Sequence, residues 1–235
     1  MSAALKSGRV LRPLALALVC AAVVSAPATA ASRVPPTQLV VLLRAHAAHK
    51  GPALRTPLVE VVPARTPITN AETVLPVLAQ RGHWLKVRLP GRPNSHTGWI
   101  KQGATLKSWT RQRIVVNTSR RTVTVYRSGR VERTFKAVVG KPSTPTPTGK
   151  FYVEESVSLH SYDVGAPFAL ALSARSNVFQ EFDGGPGQIA LHGLQNVGGT
   201  PGTATSHGCV RLDNDAMRWL AARIVLGTPV TITAR

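Results

Sequence analysis

"ATSHGCVRLDNDAMRWLAARI", residues 204–224, passes from small polar residues through Ser-His-Gly-Cys into a helical pattern. Met217, Leu220, Ala221 and Ile224 recur at i, i+3, i+4 and i+7. Asp213 or Asn214 is available as a cap and Gly227 follows the end, which predicts a helix over 213–224. The rest of this half reads as strands. "RIVVN" (113–117), "RTVTVYRSG" (121–129), "RTFKAVVG" (133–140) and "GKFYVEE" (149–155) are rich in Val, Thr, Tyr and Phe. The segments "NTSRR" and "RSGR" between them have turn chemistry. "QIALHG" (188–193) is a further strand that carries His192 to its end, and "PVTITAR" (229–235) closes the chain. "KPSTPTPTG" (141–149) is too proline-rich for a central strand and reads as a rigid loop. The fold class that follows is mainly β, with one helix directly after the cysteine motif.

Upstream, "HWLKVRL" (83–89) alternates Trp84, Lys86 and Arg88 against Leu85, Val87 and Leu89, the period of a half-buried strand. Short strands parted by turns such as "PGRPNSHTG" suggest a small barrel. This stretch resembles a bacterial SH3-like module of the kind found beside cell-wall enzymes. The organisation that follows is a leader over 1–30, a linker over 31–37, an SH3-like wall-binding module over 38–107, and a second domain over 112–235. Trp84, Trp99 and Trp109 are readable as a ligand surface, although buried barrel aromatics are the commoner explanation.

The leader has Lys6, Arg9 and Arg12 without an acid, a short apolar run from Pro13 to Val24, and Ala28 and Ala30 as a cleavage pair. Those are the parts of a secretory signal peptide, and the run is too short to span a bilayer, which takes about 20 residues. Cys20 lies inside it, and Val19 before it argues against a lipidated anchor. An exported protein acting outside the cytoplasmic membrane, in the wall or periplasm, is the expectation. Residues 31–130 hold 17 Lys and Arg against 2 acids, whereas 131–235 hold 9 against 8. A basic amino-terminal half suits an anionic cell-wall polymer or lipid headgroup, or is simply a solvated surface. Nucleic acid is disfavoured because no basic motif interleaved with aromatics is present.

Cys209 is the only cysteine outside the leader, so no disulfide framework can form within the mature chain. Such a thiol forms an intermolecular pair, stays buried and inert, or reacts. A thiol with an ordinary pKa of about 8.5 is only slightly ionised at neutral pH, so catalysis needs a base. His207 stands two residues before it and His192 seventeen. His207 shares its side of an extended segment but is constrained by the local backbone, so His192 is the better base. Gly208 permits a turn, and the amides of Gly208 and Cys209 are candidates for an oxyanion hole.

"HG", a Gly-rich loop and "SHGCVRL" together resemble the active-site signature of the L,D-transpeptidases that remodel bacterial peptidoglycan. The stretches "IVVNTSRRTVTVYRSG" and "GKPSTPTPTGKFYV", with "TPTG" at Thr146 to Gly149, resemble the start of that catalytic domain. The resemblance covers roughly 112–234. It implies a β-sandwich-like catalytic domain, Cys209 as nucleophile, His192 as general base and the Gly193 carbonyl orienting that imidazole. Ser206, His207, Gly208 and Arg211 would line the site, and no cofactor would be needed. The implied partner is a peptidoglycan stem peptide. Cys209 would form a thioester with a tetrapeptide stem, releasing D-Ala, and pass the acyl group to an amine. Water in that role would make a carboxypeptidase. Carbapenems, as acyl donors, would trap the thiol. Residues 160–186 show no such likeness, so substrate-positioning residues there stay unassigned.

Other readings stand beside this one. His192, His207 and Cys209 are a conceivable zinc set, although H-x-C is unlike the usual ligand spacings. A non-catalytic wall-binding protein is the other class. A papain-like peptidase fits poorly, since those place the cysteine before the histidine. Arg211 would hold a substrate carboxylate bidentately or pair with Asp213 or Asp215. The TPTG loop reads as structural, and Met217 and Trp219 as helix packing.

Overall fold

The computed structural model describes residues 34–181 and 185–235. The expected leader, and residues 31–33 of the expected linker, lie outside the described residues. Seven strands come first: β1 (Thr37–Leu42), β2 (His46–His49), β3 (Leu58–Val62), β4 (Val74–Arg81), β5 (Trp84–Arg88), β6 (Thr97–Lys101) and β7 (Thr105–Thr110). They form one sheet in the order β3-β2-β6-β5-β4-β1-β7. The alternation read in β5 holds on one face, with Leu85, Val87 and Leu89 buried. Arg88, expected to face solvent, is buried as well. The sheet continues past residue 107, because β7 pairs with β1 as far as Thr110.

The second group is β8 (Gln112–Asn117), β9 (Thr122–Arg127), β10 (Arg130–Lys136), β11 (Val139–Gly140), β12 (Gly149–Ser158), β13 (Phe168–Arg175) and β14 (Gln188–His192). It ends with β15 (Ala204–Ser206), β16 (Val210–Arg211), α1 (Asn214–Ala221) and β17 (Pro229–Thr233). Eight of these strands make a sheet in the order β10-β9-β8-β17-β12-β13-β14-β16, and β11 pairs with β15. "RTFKAVVG" is therefore two strands. β10 is an edge strand, and the chain leaves it to place Val139 and Gly140 beside Ala204 and Ser206. The helix is shorter than its periodicity predicts, and the Asp213 side chain makes no capping bond. Its apolar face is as read: Met217, Leu220 and Ile224 are buried in the core of the eight-stranded sheet. Gly227 follows with φ +80, the left-handed conformation that favours glycine.

β12 joins the two sheets through the strand period. Successive side chains point to opposite faces, so Phe151 enters the core of the eight-stranded sheet while Tyr152 enters the core of the seven-stranded one. Three residues on, the buried carboxylate of Glu155 accepts from the amides of Ile68 (3.3 Å) and Thr69 (2.7 Å) and from Thr69 Oγ1 (2.7 Å). Both sheets belong to one compact unit, Arg33–Arg235. Among the described residues, no helix is long and apolar enough to cross a membrane.

Candidate active site

β14 and β16 run parallel, with Leu191 opposite Val210 and His192 opposite Arg211. This pairing sets His192, the end of β14, level with Arg211, two residues after Cys209, although 17 residues separate His192 from Cys209 in sequence. The intervening loop, rich in Gly and Thr, is what allows a parallel return over so short a connection.

The turn before β16 is built on hydroxyls. Ser206 is fully buried; its Oγ donates to the Cys209 carbonyl (2.6 Å) and accepts from the Gly208 amide (3.2 Å). Thr144 Oγ1 donates to the Ser206 carbonyl (3.2 Å) and Thr146 Oγ1 to the Gly208 carbonyl (2.8 Å). Thr146 Oγ1 also accepts from the Gly140 amide (2.9 Å). Gly208 has φ +124, a conformation that side-chain-bearing residues rarely adopt. Ser206 thus supports the turn through its hydroxyl, and the Gly208 amide is bonded to that hydroxyl.

His192 is held from below. Its Nδ1 lies 2.9 Å from the Gly193 carbonyl. A carbonyl only accepts, so Nδ1 carries the proton and Nε2 is left as the basic nitrogen. Gly193 has no room for a side chain, since a Cβ would collide with the Ala166 carbonyl, and its amide donates to Gly165 O (2.7 Å). Gly165, at φ +86, is packed against the imidazole itself, where any Cβ would overlap Nδ1. Sequence reading missed Gly165 and Thr144 as parts of this framework, and took Thr146 only as part of a structural loop. The prolines around the two threonines signalled a rigid loop but not the hydroxyls' destination.

Burial dominates the electrostatics. It pushes the His192 pKa down to about 4; the Gly193 carbonyl opposes this and the nearby Arg211 charge adds to it. Burial raises the Cys209 thiol above its usual range, opposed by the Ala190 amide and by Arg211. At neutral pH the resting pair is thus a thiol and a neutral imidazole, not a thiolate and an imidazolium.

Both residues line a cavity of about 380 Å³, together with Val164, Ser176, Phe179, Gly187, Gln188, Ile189, Val197, Thr205, His207 and Arg211. None of these carries an acid. His207 is an exposed wall residue; its Nε2 lies 3.4 Å from Lys141 Nζ and its ring 6.2 Å from that of Phe179. Arg211 pairs with neither Asp213 nor Asp215. Its Nη1 donates to the Gly198 carbonyl (3.2 Å), its Nε is buried without a partner, and Asp215 bonds Arg218 instead (2.8 Å). Among the described residues, no three His, Cys, Asp or Glu are grouped to hold a metal ion. Met217 and Trp219 are packing residues, Met217 fully buried and Trp219 against Phe135 at 5.6 Å.

A thiol and a neutral imidazole sharing one cavity at a sheet edge can carry out nucleophilic acyl transfer. The YkuD family, described as the L,D-transpeptidase catalytic domain, matches residues 111–232, just over half of the chain, and the chain belongs to that family. L,D-transpeptidase 1 of Mycobacterium tuberculosis is 32% identical over 130 residues, covering 50% of this chain and 49% of that protein. The chain therefore spans about half the length of that curated relative. A solved L,D-transpeptidase from Mycobacterium smegmatis is 22% identical, with 64% of this chain and 90% of that one covered at a TM-score of 0.40. An LD transpeptidase solved in complex with imipenem is also 22% identical, covering 69% and 91% at a TM-score of 0.44.

Proposed function

We propose that this chain is a cysteine-dependent peptidoglycan L,D-transpeptidase, with Cys209 as nucleophile and His192 as its base. The observation that carries the reading is the shared cavity. It brings the one thiol among the described residues together with an imidazole whose Nδ1 is committed to a carbonyl, leaving Nε2 for proton transfer.

The reaction follows from those protonation states. His192 Nε2 takes the thiol proton as Sγ attacks the carbonyl carbon between the third stem residue and the terminal D-Ala. The developing oxyanion is met by the Cys209 amide, since the Gly208 amide is bonded to Ser206 Oγ. The C–N bond breaks, the imidazolium returns its proton to the departing D-Ala amine, and a thioester remains. An amine from a neighbouring stem then attacks the thioester, His192 takes the amine proton, and the sulfur leaves to recover it. Arg211, which lines the cavity, suits the terminal carboxylate of the donor. The acid-free lining is compatible with an anionic stem. Export by the leader, and a wall-directed role for residues 38–107, belong to the same proposal. The excess of cations over 31–130 supports an anionic wall polymer as partner.

The test is incubation of the protein, and of its Cys209→Ala variant, with purified disaccharide-tetrapeptide, read by mass spectrometry. Loss of D-Ala with dimer formation, absent in the variant, is the expected result. D-Ala loss without dimers would reassign the chain as a carboxypeptidase. An untouched substrate and a thiol unreactive to a carbapenem would leave the wall-binding reading in its place.

A further inference from the structure

One wall of the cavity comes from the segment leaving β13 and the segment entering β14; Ser176, Phe179 and Gly187 line it. The two flanks meet where the Ser176 amide donates to the Gly187 carbonyl (2.7 Å). Their outer carbonyls are held from the other sheet, by the turn between β5 and β6. Arg92 Nη1 donates to Pro186 O (2.9 Å), and its Nη2 to Ser176 O (2.9 Å) and Phe179 O (2.8 Å). One guanidinium so ties both flanks together, which its planar fork of donors allows. Asn94 adds a second grip. Its Nδ2 donates to the Arg175 carbonyl (2.7 Å) and its Oδ1 accepts from the Arg175 amide (2.8 Å), so the side-chain amide pairs with the end of β13 as a neighbouring strand would.

The turn carrying these residues is itself fixed. Gly91 N donates to Ser173 O (3.2 Å) and Lys150 N to Ser95 Oγ (2.9 Å). Tyr152 and Glu155 anchor the same sheet further along β12. A connected chain of bonds therefore runs from the seven-stranded sheet to the wall of a cavity that the eight-stranded sheet otherwise builds.

We propose that Arg92 and Asn94 are positioning residues for the donor stem, and that the seven-stranded sheet forms the rear support of the substrate site. The proposal rests on the transpeptidase reading for its substrate. The two residues hold Ser176 and Phe179 at the depth the peptide must meet, and they leave the chemistry of Cys209 and His192 untouched. Loosening them weakens the fit of a long donor and spares the reaction of the thiol with a small reagent.

The experiment uses the whole protein with Arg92→Ala, Arg92→Lys and Asn94→Ala, and Lys107→Ala, an exposed cation on β7, as control. Three quantities are measured: KM and kcat for the tetrapeptide, the rate of Cys209 alkylation by iodoacetamide, and amide hydrogen exchange over 176–181 and 185–188. R92A should raise KM roughly fivefold or more with kcat within about twofold, the signature of lost positioning by binding. Alkylation should stay within about twofold of wild type, and exchange should quicken in those two stretches alone. R92K keeps the charge without the fork and should recover only part of KM, while K107A should match wild type. An active wild type whose KM and exchange are unmoved by R92A and N94A overturns the proposal, as does alkylation falling in step with turnover. A wild type that leaves the tetrapeptide intact overturns the functional reading instead. Exchange alone then decides whether Arg92 and Asn94 fix the wall, and unchanged exchange overturns that as well.

Discussion

Thr146 donates its hydroxyl to the carbonyl of Gly208, the residue before Cys209, at 2.8 Å, although 62 positions separate the two. The same oxygen accepts from the Gly140 amide, so one buried hydroxyl links β11 to the cysteine turn. Thr146→Val keeps the shape and removes both bonds, leaving a buried donor and a buried acceptor unmet at a cost of about 2 kcal/mol. In a chain of this size that lowers Tm by roughly 4–8 °C. Carbapenem acylation of Cys209 should slow with it, because the turn that aims the sulfur loses its tether. Differential scanning calorimetry and intact-protein mass spectrometry check the two halves. A variant with wild-type Tm would remove Thr146 from the framework.

Gly165 makes a sharper case, because the imidazole rests directly on it. Gly165→Ala introduces a methyl where His192 Nδ1 now sits, at a φ of +86 that alanine adopts poorly. The ring must move, and a displacement of about 1 Å in a catalytic group costs on the order of a hundredfold in rate. Stopped-flow acylation by a carbapenem should show that loss, while alkylation by iodoacetamide at pH 9, where the base matters little, should change far less.

The pH dependence follows from the two neutral partners. With its pKa at about 4, His192 is free base throughout the neutral range, so acylation should hold steady from pH 7 down and fall only as the pH drops through about 4. Arg211 lowers both groups. A positive charge disfavours the imidazolium and favours the thiolate, so Arg211→Met should raise both pKa values. The acid limb of acylation then moves up, and the pH at which iodoacetamide begins to react quickly moves up as well. Opposite shifts of the two limbs would mean that another charge governs the pair.

What could be read from the sequence, and what could not, divides along the range of the interactions. The strands on either side of Cys209 and the helix after it announce themselves by period, since burial on one face of a strand or helix leaves its pattern locally. The pairing of "HG" with "SHGCVRL" brought His192 and the Gly193 carbonyl to attention for the same reason: the residues are few and their spacing is short. Arg92 and Asn94 left no such trace. "PGRPNSHTG" reads as turn chemistry whether or not its side chains reach a second sheet, and their partners are backbone carbonyls, which have no letter in the sequence. Ser206 was singled out, yet nothing in "TSHGC" told whether its hydroxyl faced the cavity or the turn. Arg88 shows the same limit in the fold: its place in an alternating strand predicted solvent, and it is buried instead, with Nη1 donating to the Ser95 carbonyl of the following turn.

Glu155 tests whether the two sheets act as one body. Its carboxylate is fully buried and accepts three hydrogen bonds from Ile68 and Thr69, across 86 or more residues of chain. Bonds to a charged acceptor contribute about 1.5–3 kcal/mol each at most, and they share one desolvated group, so the net loss on removal is about 3 kcal/mol. Glu155→Ala should therefore lower Tm by roughly 6–12 °C, and Glu155→Gln, which keeps an acceptor oxygen, by distinctly less. If the sheets are one cooperative body, E155A still melts in a single transition in which tryptophan fluorescence, reporting Trp84, Trp99 and Trp109 in the first sheet and Trp219 on α1, follows far-UV circular dichroism. Two separated transitions would mean that the first sheet unfolds on its own once this bond is lost, and the wall held by Arg92 should then loosen in the same temperature interval.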